Sequence, residues 1–105
     1  MMMYNQDRPW YVYILRCSHT FLYTGISPDV EKRIEKHRSG AGAKFTRNRN
    51  PIELVYIHEY ANMREALIAE RGMKRKTRKK KEEIIIAFQR DIPDGVPEIS
   101  TYLTE

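Results

Sequence analysis

The 105 residues suffice for one domain, and 41% of them are aliphatic or aromatic, which excludes a compositionally disordered chain. A single cysteine, Cys17, excludes an internal disulfide framework and a cysteine-based zinc cluster, and no apolar run reaches the ~18–20 residues of a membrane span. The net charge of +5 is unevenly placed: all 19 Lys and Arg, against ten acids, lie in residues 1–90, while residues 91–105 hold four acids and no base. A basic body calls for a polyanionic partner. The first ten residues, MMMYNQDRPW, lack the basic-then-apolar layout of a signal peptide, so the default expectation is a cytoplasmic protein. The chain divides into an N-terminal extension (1–8), one domain (9–90) and an acidic, flexible tail (91–105) containing Pro93 and Pro97.

Residues 10–17, WYVYILRC, are β-prone and apolar on both faces, the pattern of a covered strand in which Cys17 is a small core residue. Ser18-His19-Thr20 reads as a three-residue turn and residues 21–26, FLYTGI, as a second strand. Ser27-Pro28-Asp29 is a helix start, with Ser27 as N-cap and Pro28 at the first helical position. That helix runs to about Arg38 and stops at Ser39-Gly40. Residues 39–51, SGAGAKFTRNRNP, form a basic loop; its GAGAK lacks the spacing and the Ser or Thr of a phosphate loop. Residues 52–60, IELVYIHEY, make a third strand. Asn62 followed by Glu65 resembles a capping box and opens a helix to about Arg75, and Thr77 caps a last helix ending near Arg90. The order is β-β-α-β-α-α, an α+β fold with helices packed on a small sheet.

Several polar residues fall on apolar faces. On a wheel of about 100° per residue, Val30 and Ile34 define the buried side of the first helix, His37 points between them and Arg33 lies at the edge. Arg33 and His37 are i,i+4 neighbours that can serve one site, or can simply pack and snorkel. In the second helix Met63, Ala66, Leu67 and Met73 form the stripe, and Glu70 lies on it. A carboxylate there requires a partner: an arginine such as Arg33, or a metal ion. If the turn sets Cys17 opposite Phe21, then Tyr13 faces Gly25, and Tyr13 and Tyr23 share a face as diagonal neighbours. Gly25 then leaves space beside the Tyr13 ring.

The pair "VYI" (12–14) and "YTG" (23–25), with Arg33 in EKRIEKH, His37 one turn on, Glu70 in EALIAERGMK and the loop GAKFTRNRNP, resembles the GIY-YIG nuclease superfamily, in particular its small stand-alone bacterial members. The similarity spans roughly residues 9–88. It implies a three-stranded antiparallel sheet flanked by helices, and hydrolysis of phosphodiester bonds in DNA, in repair or recombination, with one divalent ion, Mg2+ or Mn2+. Tyr11 and Val12 stand at the first motif's glycine and isoleucine, Ile26 at a lysine of some members, and a late asparagine has no counterpart. An alternative is a nucleic-acid-binding module that keeps the fold without turnover, or a subunit that needs a protein partner.

On this resemblance Glu70 holds the metal, Arg33 grips a phosphate oxygen through its fork, and His37 orients the phosphate or assists proton transfer. One of the two phenols takes the proton of the attacking water; Tyr23 is favoured and Tyr13 orients, although the sequence does not separate the roles. Nucleic acid, DNA before RNA, would lie on Lys44, Arg47 and Arg49 of the loop and on the run RGMKRKTRKKK, with Lys74, Lys76, Lys79 and Lys80.

Overall fold

The computed structural model describes residues 7–91. Strands β1 (Trp10–Cys17), β2 (Phe21–Ser27) and β3 (Ile52–Tyr60) form one antiparallel sheet in the order β2-β1-β3. Helices α1 (Val30–Ser39), α2 (Met63–Lys74) and α3 (Arg78–Asp91) flank it. A 3-10 turn over Lys44–Thr46 interrupts the basic loop, which by sequence is irregular throughout. The expected α+β architecture is therefore present. Residues 1–6 of the N-terminal extension, and the acidic tail beyond Asp91, lie outside the described residues.

The central strand is covered on both sides, which is why its sequence is apolar without alternation. Tyr13, Leu15 and Cys17 pack with Val30 and Ile34 of α1 and with Ile52 and Leu54 of β3. On the other face Trp10 and Val12 meet Ala66 of α2, and Ile14 meets Val55, Met73 and Ile85. Cys17 is fully buried, and burial pushes its thiol up to about 11, as suits a core residue. A bulge shifts β3 by one residue: Ile14 pairs with Tyr56 but Leu15 with Leu54, so Val55 and Tyr56 both pack on the α2–α3 side.

In the β1–β2 turn Ser18 and His19 are left-handed (φ 53° and 64°), and the Thr20 N–H donates to the Cys17 carbonyl at 3.0 Å. The turn sets Cys17 opposite Phe21, hence Leu15 opposite Tyr23 and Tyr13 opposite Gly25. The arginine fork of Arg16 grips Glu82 of α3 at 2.9 and 2.8 Å. Arg78 donates to Glu82 at 3.0 Å and to the Thr20 carbonyl, so α3 is tied to both β1 and the turn.

The start of α1 differs from expectation. Its N-cap is Asp29, whose carboxylate accepts from the Lys32 N–H at 3.1 Å, and Pro28 precedes the helix. Ser27 instead accepts from the Asp29 N–H at 2.9 Å, folding the chain so that Asp29 reaches the cap. At the other end Gly40 adopts φ 87° and its N–H returns to the His37 carbonyl, as the Ser39-Gly40 stop requires. Asn62 caps α2 through the Glu65 N–H at 2.9 Å, and Thr77 accepts from the Lys80 N–H at 3.1 Å.

Candidate active site

Four elements converge on the α1 face of the sheet. β1 carries Tyr13 and β2 carries Tyr23; their rings lie 6.4 Å apart, tilted by 43°. α1 brings His37, buried to 1% exposure, with its ring edge-on to Tyr23 at 5.0 Å. The Tyr13 hydroxyl lies 3.1 Å from His37 Nε2, and His37 Nδ1 lies 2.8 Å from the Thr46 hydroxyl. The direction of this chain follows from its inner end. Thr46 gives its one proton to the Ala43 carbonyl, 2.8 Å away, so towards His37 it can only accept. Nδ1 therefore carries the imidazole proton, Nε2 is bare, and Tyr13 donates to it.

The electrostatics agree with neutral partners. Burial, and next the Arg33 charge, push His37 down to about 4, so it is uncharged at neutral pH. Burial, with the Tyr23 phenol beside it, holds Tyr13 well above the ordinary phenol range, and Arg33 opposes that rise. Gly25 completes the enclosure: a Cβ there would lie 2.6 Å from the Tyr13 hydroxyl oxygen and 3.1 Å from the Tyr23 ring. The room that the missing side chain leaves is taken up by the Tyr13 ring itself, which packs against the bare Gly25 backbone.

Arg33 is exposed at the rim, within electrostatic range of Tyr13 and His37. Glu70 reaches the same neighbourhood from α2, where its charge acts on Tyr13. Its side chain is 15% exposed, and its partner is Lys74, one turn on, at 3.3 Å, rather than Arg33.

A family model described as the GIY-YIG catalytic domain matches residues 9–83, which contain Tyr13, Tyr23, Arg33, His37, Thr46 and Glu70. The chain belongs to the GIY-YIG family. It is 48% identical over 75 residues to a UPF0213 protein of Clostridium perfringens, covering 71% of this chain and 81% of that one. A UPF0213 protein of Haloquadratum walsbyi is 45% identical over 74 residues, covering 70% and 83%. The solution NMR structure of a UPF0213 protein from Bacillus halodurans superposes with a TM-score of 0.51 at 40% identity, over 89% of this chain and 93% of that one. A second NMR structure, of a protein from E. faecalis, gives 0.56 at 32% identity over 86% and 96%. GIY-YIG is a nuclease-type family, which makes nucleic acid the substrate class. Among the described residues no helix is long and apolar enough to cross a membrane.

Around this GIY-YIG centre Lys44 and Arg47 are exposed, and the Arg49 guanidinium lies over the rings of Phe21 and Phe45 at 4.3 and 4.6 Å. Lys74 and Lys76 stand at the end of α2, and Lys79 and Lys80 in the first turn of α3, all exposed. Lys80 is 3.7 Å from Glu83. Sequence reasoning missed Thr46, the acceptor that orients His37, and Gly42, where a Cβ would lie 2.6 Å from His37 Nδ1. Neither announces itself: both sit in a loop whose path depends on the histidine it covers.

Proposed function

We propose that this GIY-YIG protein is a metal-dependent endonuclease that hydrolyses phosphodiester bonds in DNA, in repair or recombination. The observation that carries this reading is the directed chain from Tyr13 through His37 to Thr46, with Arg33 and Glu70 in electrostatic range of the Tyr13 phenol.

The chemistry requires an attacking water to lose a proton. A phenol can accept that proton only as it loses its own, and Tyr13 already points its proton at an empty imidazole nitrogen. In one concerted movement the water proton passes to the Tyr13 oxygen, the Tyr13 proton passes to His37 Nε2, and the water oxygen forms its bond to phosphorus. The bond to the leaving oxygen breaks, and that oxygen is later protonated from solvent. Arg33 neutralises charge on the non-bridging oxygens. Tyr23, half-buried and with no hydrogen-bond partner among the described residues, lines and orients the site. The hydrogen bonds thus favour Tyr13 over Tyr23 as the phenol that takes the proton, the reverse of the order favoured from sequence.

Among the described residues no group of three His, Cys, Asp or Glu side chains forms a cage. One carboxylate fits a hard ion that keeps its waters and shares phosphate oxygens, as Mg2+ and Mn2+ do, and Glu70 is the residue that would hold it. When bound, such an ion supplies Lewis-acid stabilisation of the phosphate and leaving group.

The Lys74–Glu70 ion pair favours a second reading, a binding module whose carboxylate is satisfied internally. Incubation of the purified protein with DNA and RNA single strands, duplexes and branched forms, with Mg2+, Mn2+ or chelator, separates the two. Strand scission of DNA that stops in chelator is the expected result. Binding without scission of any substrate in either metal overturns the enzyme reading.

A further inference from the structure

We infer that Phe21, Phe45 and Arg49 form a stacking platform for one unpaired nucleobase next to the reacting phosphodiester. The inference rests on nucleic acid being the ligand, as proposed above, and adds a base-contacting site to a centre otherwise built for phosphate.

Phe21 and Phe45 remain 41% and 40% exposed although the chain has a closed core elsewhere. They meet edge to face, with centroids 6.1 Å apart at 86°. The Arg49 guanidinium lies over both rings, adding a flat cationic surface to the two phenyls. The rings continue inward: Phe45 stacks beside Tyr23 at 6.1 Å and 22°, and Tyr23 touches His37. Chain geometry explains the continuity, since Phe21 lies two residues before Tyr23 on one sheet face and Phe45 directly precedes Thr46. Exposed Lys44 and Arg47 flank Phe45. Their charge repels a second copy of this basic chain and attracts a polyanion. A base inside a duplex has both faces covered by its neighbours, so only an unpaired base can lie on these rings.

The test is binding of the full chain, in chelator so that nothing is cut, to three labelled probes of equal length: a thymidine single strand, the same strand with abasic sugars, and a duplex. Phe21→Leu with Phe45→Leu keeps apolar volume and removes both π faces. The pair should weaken the thymidine strand roughly 10-fold or more. The abasic strand and the duplex, held through phosphates, should change by no more than about twofold. Phe45→Trp, made alone, should bind the thymidine strand at least as tightly as wild type. Equal losses on the thymidine and abasic strands, or no loss on either, overturn the platform while leaving nucleic-acid binding intact. A change in oligomeric state with unaltered thymidine affinity also overturns it. Wild-type protein that binds none of the probes removes the nucleic-acid reading itself, and the platform with it.

Discussion

The Tyr13 hydroxyl and His37 Nε2 lie 3.1 Å apart in the interior, and because Thr46 spends its proton on the Ala43 carbonyl and holds the imidazole proton on Nδ1, the hydroxyl is the donor between them. That direction separates two phenols that look equivalent in the chain. On a substrate the wild type cuts, Tyr13→Phe should slow cleavage roughly 10²-fold or more, the usual scale for general acid–base catalysis. Tyr23→Phe should cost about 10-fold or less, because it removes an orienting group and not the proton path. Single-turnover rates at saturating protein measure both. The opposite ranking returns the role to Tyr23.

Thr46 decides the histidine tautomer. Thr46→Val keeps the shape and removes the acceptor for the Nδ1 proton, so the proton should move to Nε2 and the Tyr13 contact should reverse, with Nε2–H donating to the phenol oxygen and the proton path from Tyr13 closed. The imidazole nitrogen shifts of 15N-labelled protein at pH 7 read this directly. Wild type should show Nδ1–H, the valine variant Nε2–H, and Thr46→Ser the wild-type pattern. Stability should fall by about 1–3 kcal/mol in the valine variant, the cost of disturbing a buried polar group. Nε2–H in wild type would sink the assignment.

Glycine at 25 is a steric requirement. The added methyl of Gly25→Ala would lie 2.6 Å from the Tyr13 oxygen and 2.7 Å from Cζ, and Tyr13 is too buried to swing away. Urea unfolding should show a loss of about 1–3 kcal/mol, as for other overpacked sites. An unchanged midpoint would mean that β2 shifts freely, against the close Gly25–Tyr13 packing.

Glu70→Gln should leave the fold and nucleic-acid affinity in place and abolish Mn2+ binding measured by calorimetry. Retained Mn2+ affinity would make Glu70 a structural partner of Lys74. Lys79→Glu with Lys80→Glu should weaken binding of every sequence alike and flatten its steep decline with salt.

Acid should destabilise the protein in two stages. The hydrogen bond from Arg16 holds Glu82 down at about 2, from an ordinary 4.5, and burial holds His37 down at about 4, from 6.5. In both cases the unfolded chain takes up the proton at a higher pH than the folded one, so stability falls as pH falls. The His37 contribution is complete above pH 6.5 and lost towards about 4; that of Glu82 is complete above 4.5 and lost towards about 2. Glu82→Gln should flatten the lower stage and lower stability at pH 7 by about 1 kcal/mol, a value kept small because the pair is partly solvated. Urea midpoints from pH 3 to 8 test this; an unaltered acid limb would refute the Glu82 share.

Sequence alone determined what is local or strictly periodic. The order of elements, the double-sided apolar strand β1, the stops at Gly40 and the cap at Asn62 are properties of a few consecutive residues. The shared face of Tyr13 and Tyr23 was legible because a three-residue turn and a period of two leave one register. His37 and Glu70 were legible because a polar group on an apolar helical stripe demands a partner. Tertiary structure decided who those partners are. Glu70 pairs with Lys74 and not Arg33 because the guanidinium stays at the exposed rim of another helix. The bulge at Val55, the fit of Gly42 against His37 and the gathering of Phe21, Phe45 and Arg49 arise from contacts between distant segments, which no local pattern encodes. The direction of the Tyr13–His37 bond is the clearest case: it depends on a third residue, Thr46, and on a carbonyl behind it, because one hydroxyl proton can be given only once.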